Sequence, residues 1–183
     1  VIDIGGAKVP VPDAAFLQAV PAAEAFMASR VVDAVARAKR VADLFAGLGT
    51  LTLPLAARAR VSAFDSDPEA LAALEHATRH ASGLKPVEIR RRDLFREPLS
   101  RGELNAFDAV VFDPPRAGAA AQAKALARST VGIVVAVSCN PATLARDART
   151  LVDGGYQLVA LDLVDQFLYS PHLEAVAVFK KRK

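Results

Sequence analysis

The stretch VADLFAGLGTLTLPLA, Val41 to Ala56, decides the fold. It reads as a short apolar strand, a turn carrying Gly47 and Gly49, and the start of a helix. Working outward, β-rich runs at Val41 to Phe45, Val61 to Asp65, Val87 to Arg91, Ala109 to Asp113 and Ile133 to Ser138 predict strands. Between them, stretches of helical period at Leu51 to Ala59, Pro68 to Ser82, Ala119 to Ser129 and Pro141 to Asp153 predict helices. Pro68 and Pro141 suit first-turn positions, where a missing N–H costs nothing. Such alternation is the pattern of repeated βαβ units and a mostly parallel, doubly wound, Rossmann-like α/β sheet. Two late apolar runs, Tyr156 to Val164 and Glu174 to Phe179, have no helix between them and predict an antiparallel C-terminal hairpin at the sheet edge. Before the first strand, Pro21 to Ala38 is Ala-rich with helical spacing and predicts a lead-in helix within residues 1–40. No internal repeat or low-complexity linker interrupts the chain, so residues 1–183 are expected to form one domain.

The 183 residues are 52% hydrophobic, enough for one substantial core. No run approaches the roughly 18 apolar residues of a membrane span, and no signal-peptide pattern opens the chain. The expectation is a soluble, cytoplasmic protein. The chain begins with Val1 rather than methionine, as expected of a piece of something longer. Its net charge of +3 comes largely from Arg90, Arg91, Arg92 and the tail Lys180, Lys181, Arg182 and Lys183, which suits an RNA partner and equally a solvated loop and tail. A single cysteine, Cys139, excludes an internal disulfide and a cysteine-rich metal cluster within the chain. His76 and His80 lie one helical turn apart without a third ligand nearby and read as surface residues, so no metal is expected.

In open α/β sheets ligands bind beyond the carboxyl ends of the strands, where glycines let the backbone come close. Gly47 and Gly49 are expected to give that approach. A dinucleotide fingerprint wants Gly or Ala at position 52, which here is Thr52. Asp43, inside the strand, can organise the turn and meet a cationic or amino-bearing ligand. Asp65 ends the next strand, where an acid accepts hydrogen bonds from ribose hydroxyls. Its plain alternative is a helix cap, but Ser66 or Asp67 can serve there and leave Asp65 free. Together these features favour an adenosine-containing ligand without a pyrophosphate.

The fourth strand runs into AVVFDPPRAG, whose prolines hold Asp113 at a stiff strand end. Arg116 follows, to bind a phosphate or an acidic neighbour. The fifth strand ends in IVVAVSCNPATLARD, which places Cys139 at the rim and beside a helix N-terminus. The partial positive charge there is expected to favour the nucleophilic thiolate. The bland alternative is an inert core cysteine, but the Asn140-Pro141 turn argues against burial.

DLFAGLGTLTLPLA, FDPPRAG, VSCNPATLARD and DQFLYSPHLEAV, in that order, resemble the motifs of the RNA 5-methyluridine methyltransferase family, and AFLQAVP resembles its FxQ segment. The resemblance runs from Ala15 to Phe179. It implies a seven-stranded class I methyltransferase fold that binds S-adenosylmethionine through Gln18, Phe45, Asp65 and Asp113, with Thr50 and Asp93 as further candidates. It assigns Cys139 as nucleophile and Glu174 as the base. Beside it, Arg116, Asn140 and His172 are candidate substrate contacts by position, and a uridine that reaches such a pocket is expected to be flipped out of its RNA. Ala46 stands where family members commonly have cysteine, and Leu168 where they have proline; neither position does chemistry. The family's N-terminal β-barrel RNA-binding module and its occasional iron–sulfur cluster are absent from this sequence. Two other readings stay open: an amino-methylating nucleic-acid methyltransferase, which needs no nucleophilic cysteine, and a non-catalytic domain that only binds cofactor or RNA.

Overall fold

A computed structural model describes residues 1–13, 21–165 and 173–182. The first residues form a hairpin, β1 (Ile2–Ile4) and β2 (Ala7–Val9), joined by a turn at Gly5 and Gly6. Helix α1 (Pro21–Ala34) leads into β3 (Arg40–Leu44), α2 (Thr52–Ala56), β4 (Arg60–Asp65), α3 (Pro68–His80) and β5 (Val87–Arg91). Then come α4 (Arg101–Leu104), β6 (Ala109–Phe112), α5 (Ala120–Ala127), β7 (Ile133–Ser138), α6 (Pro141–Asp153), β8 (Tyr156–Val164) and β9 (Glu174–Lys181).

Strands β3 to β9 make one seven-stranded sheet in the order β5-β4-β3-β6-β7-β9-β8. The first five in that order are parallel, and β9 runs antiparallel between β7 and β8. The expected strands, major helices and edge hairpin are all present, with ends shifted by a few residues because helix termini fray and the last turns tighten. The lead-in helix stops at Ala34 rather than Ala38. Two elements are additional: the β1–β2 hairpin, and α4, whose Ser100 and Glu103 form a reciprocal capping box.

Strands β6 and β7 sit in the middle of a parallel sheet with helices on both faces, so almost every residue is buried and both read as continuous apolar runs. Ala42, Leu44, Phe112 and Ala136 face α4, α5 and α6, while Val41, Val111, Val135 and Val176 face α1 and α2. A third cluster seats Ile4, Ala7 and Val9 of the hairpin on Ala73, Leu74 and Ala77 of α3. The strand order reverses between β3 and β6, and at such a switch point the loops leave a crevice beyond the strands' carboxyl ends. Among the described residues no helix is long and apolar enough to cross a membrane.

Candidate active site

A cavity of about 630 Å³ opens at this switch point. The turn after β3 supplies Phe45, Gly47 and Thr50 to its wall, β4 supplies Asp65, and the segment after β5 supplies Asp93 and Phe95. The loop after β6 supplies Asp113, Pro114, Pro115 and Arg116. Cys139 after β7 and Glu174 at the start of β9 close the far side. Gln18 and His172 lie outside the described residues, as does Leu168.

Asp43 is fully enclosed, 1% exposed, although its side chain reaches the cavity. One carboxylate oxygen accepts from the Thr52 hydroxyl at 2.5 Å, whereas Oδ1 has no hydrogen-bond partner. A buried acceptor without a partner costs about 1–3 kcal/mol, so it marks a place built for something else. Loss of hydration pushes the Asp43 pKa up to about 7, the Thr52 bond opposes that rise, and the charge of Asp65 adds to it. Thr52 therefore explains why the dinucleotide fingerprint fails at its third position: its hydroxyl holds the carboxylate.

The two glycines of the turn have different roles. Gly47, at φ 53°, has open space where a Cβ would point and lines the cavity, as expected of a backbone that meets a ligand. Gly49, at φ 93°, does not line it; a Cβ there would collide with Leu74 of α3. It is needed for close packing of the turn on that helix.

Asp65 is not free. Its Oδ2 accepts the Gly47 N–H at 2.8 Å and its Oδ1 accepts the Asp67 N–H at 2.9 Å. Asp67, as expected, caps α3 by accepting from Glu69 and Ala70. Each oxygen of Asp65 keeps a second lone pair for a ligand hydroxyl, so one side chain both ties the glycine turn to β4 and faces the cavity. Asp93 similarly accepts from the Phe95 and Arg96 N–H groups.

Phe45 is the non-glycine residue at positive φ, 63°, among the described residues. This conformation costs on the order of 1–3 kcal/mol and is kept where surrounding structure dictates it. It brings the Phe45 ring to 5.4 Å from Phe95, which is half exposed at the cavity mouth. Sequence reasoning missed Phe95; an aromatic two residues after Asp93, next to the core residue Leu94, was the available signal.

At the other end, Asp113 is half-buried, and loss of hydration followed by the charges of Glu174 and Asp43 pushes its pKa up to about 7. Glu174 is 3% exposed, whereas sequence alone makes it an ordinary surface acid at a strand start. Cys139 is half-buried, so it is neither a sealed core residue nor a surface thiol. The expected thiolate is corrected: burial pushes the thiol pKa up, and Glu174 and Asp113 push it further, while Arg116 only partly opposes them. Two nearby carboxylates outweigh the helix end. Asn140 does not line the cavity. Its Oδ1 accepts from Ala142 as the cap of α6 and its Nδ2 donates to the Arg116 carbonyl. His76 and His80 are exposed, and no group of three or more metal-ligating side chains occurs among the described residues.

Replacing Asp65 by Ala is expected to weaken S-adenosylhomocysteine binding by about 1–3 kcal/mol, since both the pinned turn and an acceptor are lost. Calorimetric affinity equal to wild type would remove Asp65 from the ligand site.

The chain matches the family model "tRNA (Uracil-5-)-methyltransferase" over residues 87–183 and that of the methyltransferase small domain over residues 18–132. It is 56% identical over 181 residues to an uncharacterized RNA methyltransferase of Mesorhizobium japonicum, covering 99% of this chain and 44% of that protein. It is 39% identical over 149 residues to the 23S rRNA (uracil(1939)-C(5))-methyltransferase RlmD of Alteromonas naphthalenivorans, covering 79% of this chain and 31% of that one. The crystal structure of the Pyrococcus abyssi tRNA (uracil-54, C5)-methyltransferase with S-adenosyl-L-homocysteine superposes with a TM-score of 0.79 at 30% identity, over 91% of this chain and 40% of that one. The chain thus spans less than half the length of the relatives it matches. With a family model covering just over half the chain, and with the seven-stranded sheet and switch-point cavity in place, the chain belongs to the tRNA (uracil-5-)-methyltransferase family and has the class I methyltransferase fold.

Proposed function

We propose that this chain is the catalytic domain of an S-adenosylmethionine-dependent enzyme that methylates carbon 5 of a uridine in RNA through a covalent adduct on Cys139. One observation carries the reading: Cys139 and the buried Glu174 face the same cavity as Asp43, Gly47 and Asp65. A donor and an acceptor bound there meet at the loop after β6.

The residues present fit S-adenosylmethionine. The unpartnered Oδ1 of Asp43 suits the ligand's ammonium, Asp65 the ribose hydroxyls, and the Phe45–Phe95 pair the adenine face. When bound, this cofactor supplies an electrophilic methyl group. Uracil carbon 5 is too weak a nucleophile to take that group unaided, so Cys139 first adds to carbon 6 and makes carbon 5 enolate-like. The thiol proton passes to a carboxylate beside it, for which Asp113, near pKa 7, is suited. After carbon 5 is methylated, Glu174 removes its proton and Cys139 leaves. Pro115 and Arg116 are exposed in the cavity lining, and we assign them to contact with the RNA. The relatives extend well beyond the matched region, and we assign recognition of a particular RNA to that remainder.

The reading is tested by incubating the protein with unmodified ribosomal and transfer RNA and labelled S-adenosylmethionine, then digesting to nucleosides. It expects label in 5-methyluridine. Label confined to N-methylated bases would select the amino-methylating alternative, and no label with cofactor bound would select the non-catalytic one.

Asp43 also sets the pH dependence of cofactor binding. Its folded pKa of about 7 lies above the ordinary value of 3.8, so the fold favours its protonated form. The stability of the free protein due to this group is complete below about pH 4 and is lost as pH rises through about 7. A cationic ligand needs the ionised form, so binding should expel a proton below about pH 7. Affinity should then climb by up to about tenfold per unit from pH 5.5 and flatten near 7. Thr52→Val, which removes the bond that lowers this pKa, should move the plateau to higher pH. Calorimetry in buffers of different ionisation enthalpy measures the proton, and affinity independent of pH would sink the assignment.

A further inference from the structure

The loop after β6 and the nucleophile's loop are tied together away from the cavity, by one face of α6. Asp147, two turns into that helix and only 2% exposed, accepts the Ala119 N–H at 2.7 Å through Oδ2. Ala119 is the N-cap of α5 and has no side-chain cap of its own, so a carboxylate from another helix sits where the α5 dipole favours it. The other oxygen of Asp147 holds Arg146 at 2.9 Å, and Arg146 Nη2 donates to the Ala117 carbonyl at 3.0 Å. One turn earlier, Asn140 Nδ2 and the Thr143 hydroxyl both donate to the Arg116 carbonyl. Gly118, at φ 74°, lies so close that a Cβ would be 2.5 Å from Arg146 Nη2 and 2.8 Å from Asp147 Oδ2.

A burial this complete for a carboxylate and a glycine contact this tight need a reason, and stability alone is a poor one. A buried carboxylate costs desolvation that an apolar side chain of the same volume avoids, even where, as here, its Arg146 partner stays half exposed. What this pair adds is registration. Cys139 immediately precedes the α6 cap, and Asp113 and Arg116 stand on the segment that α6 grips. Both loops are therefore referenced to one rigid helix.

We propose that Asp147, with Arg146 and Gly118, forms a positioning unit for the methyl-transfer reaction, holding the Asp113–Arg116 loop at a fixed displacement from Cys139. The proposal rests on the uracil methyltransferase reading above. It concerns residues that touch neither substrate nor cofactor and act through the loop they hold. A misplacement of about 1 Å at a reacting centre lowers rates by about 100-fold. Most of the proposed cofactor contacts, Asp43, Asp65 and the Phe45–Phe95 pair, stand on β3, β4 and the segments after β3 and β5, which α6 does not hold, and Asp113 alone is shared with the gripped loop.

The test compares Asp147→Ala, Asp147→Asn and Gly118→Ala with the wild-type chain. It measures steady-state methylation of unmodified ribosomal or transfer RNA, S-adenosylhomocysteine affinity, and thermal midpoint. Asp147→Ala is expected to lower kcat by about 10- to 100-fold with cofactor affinity held within about threefold. Asp147→Asn, which can still accept the Ala119 N–H but lacks the charge that holds Arg146, should fall between Ala and wild type. Gly118→Ala should reproduce the kcat loss from the loop side, and it carries the test if Asp147→Ala does not fold. Wild-type kcat in folded Asp147→Ala or Gly118→Ala overturns the proposal. So does a fall in kcat matched by an equal fall in cofactor affinity, which is the signature of general loosening. Absence of 5-methyluridine when the wild-type chain is assayed together with the remaining segments its relatives carry refutes the functional reading itself and this proposal with it.

Discussion

Replacing Glu174 with Gln is expected to stop the reaction after methyl transfer and leave protein and RNA covalently joined. The substitution keeps the shape of a side chain that is 3% exposed and removes only its capacity to take a proton. Cys139 can still add to carbon 6 of the uracil, and carbon 5 can still receive the methyl group. The remaining proton on carbon 5 then has no acceptor, so the bond to sulfur cannot be expelled. A species that survives denaturing electrophoresis should accumulate, dependent on both S-adenosylmethionine and a uridine-bearing RNA. It should disappear in the Cys139→Ala, Glu174→Gln double variant. Normal turnover by Glu174→Gln with no trapped species would remove Glu174 from the base role and turn attention to Asp113, whose pKa near 7 equips it for the same transfer.

The second large effect is expected of Cys139→Ala, which should lower methyl transfer by about 1,000-fold or more, because carbon 5 then has no route to enolate character. S-adenosylhomocysteine affinity should change little, since the proposed contacts to it, Asp43, Asp65 and the Phe45–Phe95 pair, do not involve Cys139. In the wild type, burial and the charges of Glu174 and Asp113 hold the thiol protonated at neutral pH. Alkylation of Cys139 by iodoacetamide should therefore be slow at pH 7, with a midpoint above that of an ordinary cysteine. Neutralising Asp113 as Asn should move that midpoint down. A Cys139→Ala chain with wild-type activity would select the amino-methylating alternative. A thiol that alkylates at pH 6 would show that the helix end, and not the carboxylates, sets its state.

The sequence by itself determined the sheet, because a parallel strand buried on both faces reads as an unbroken apolar run, and β6 and β7 are such runs. It also placed Asp43 inside the first strand and Phe45, Asp65, Asp113 and Cys139 at strand ends, which is a one-dimensional property of alternating strands and helices. It missed the β1–β2 hairpin, since strands of 3 residues carry too little periodicity to be seen. It missed α4 although the Ser100–Glu103 capping pattern was there to read, because a helix of 4 residues has no face to repeat. The folded chain decided the surroundings of each candidate residue. Gly47 meets the cavity while Gly49 meets Leu74, although both stand in one turn. Glu174 is buried because β9 inserts between its hairpin partner β8 and β7, and the pairing with β7 joins segments far apart in the chain. The Cys139 thiol pKa is raised first by burial and then by the charges of Glu174, which that insertion sets near it, and Asp113. Local patterns fix backbone conformation over a few residues, whereas protonation depends on which charges and how little water surround a group, and only the folded chain brings those together.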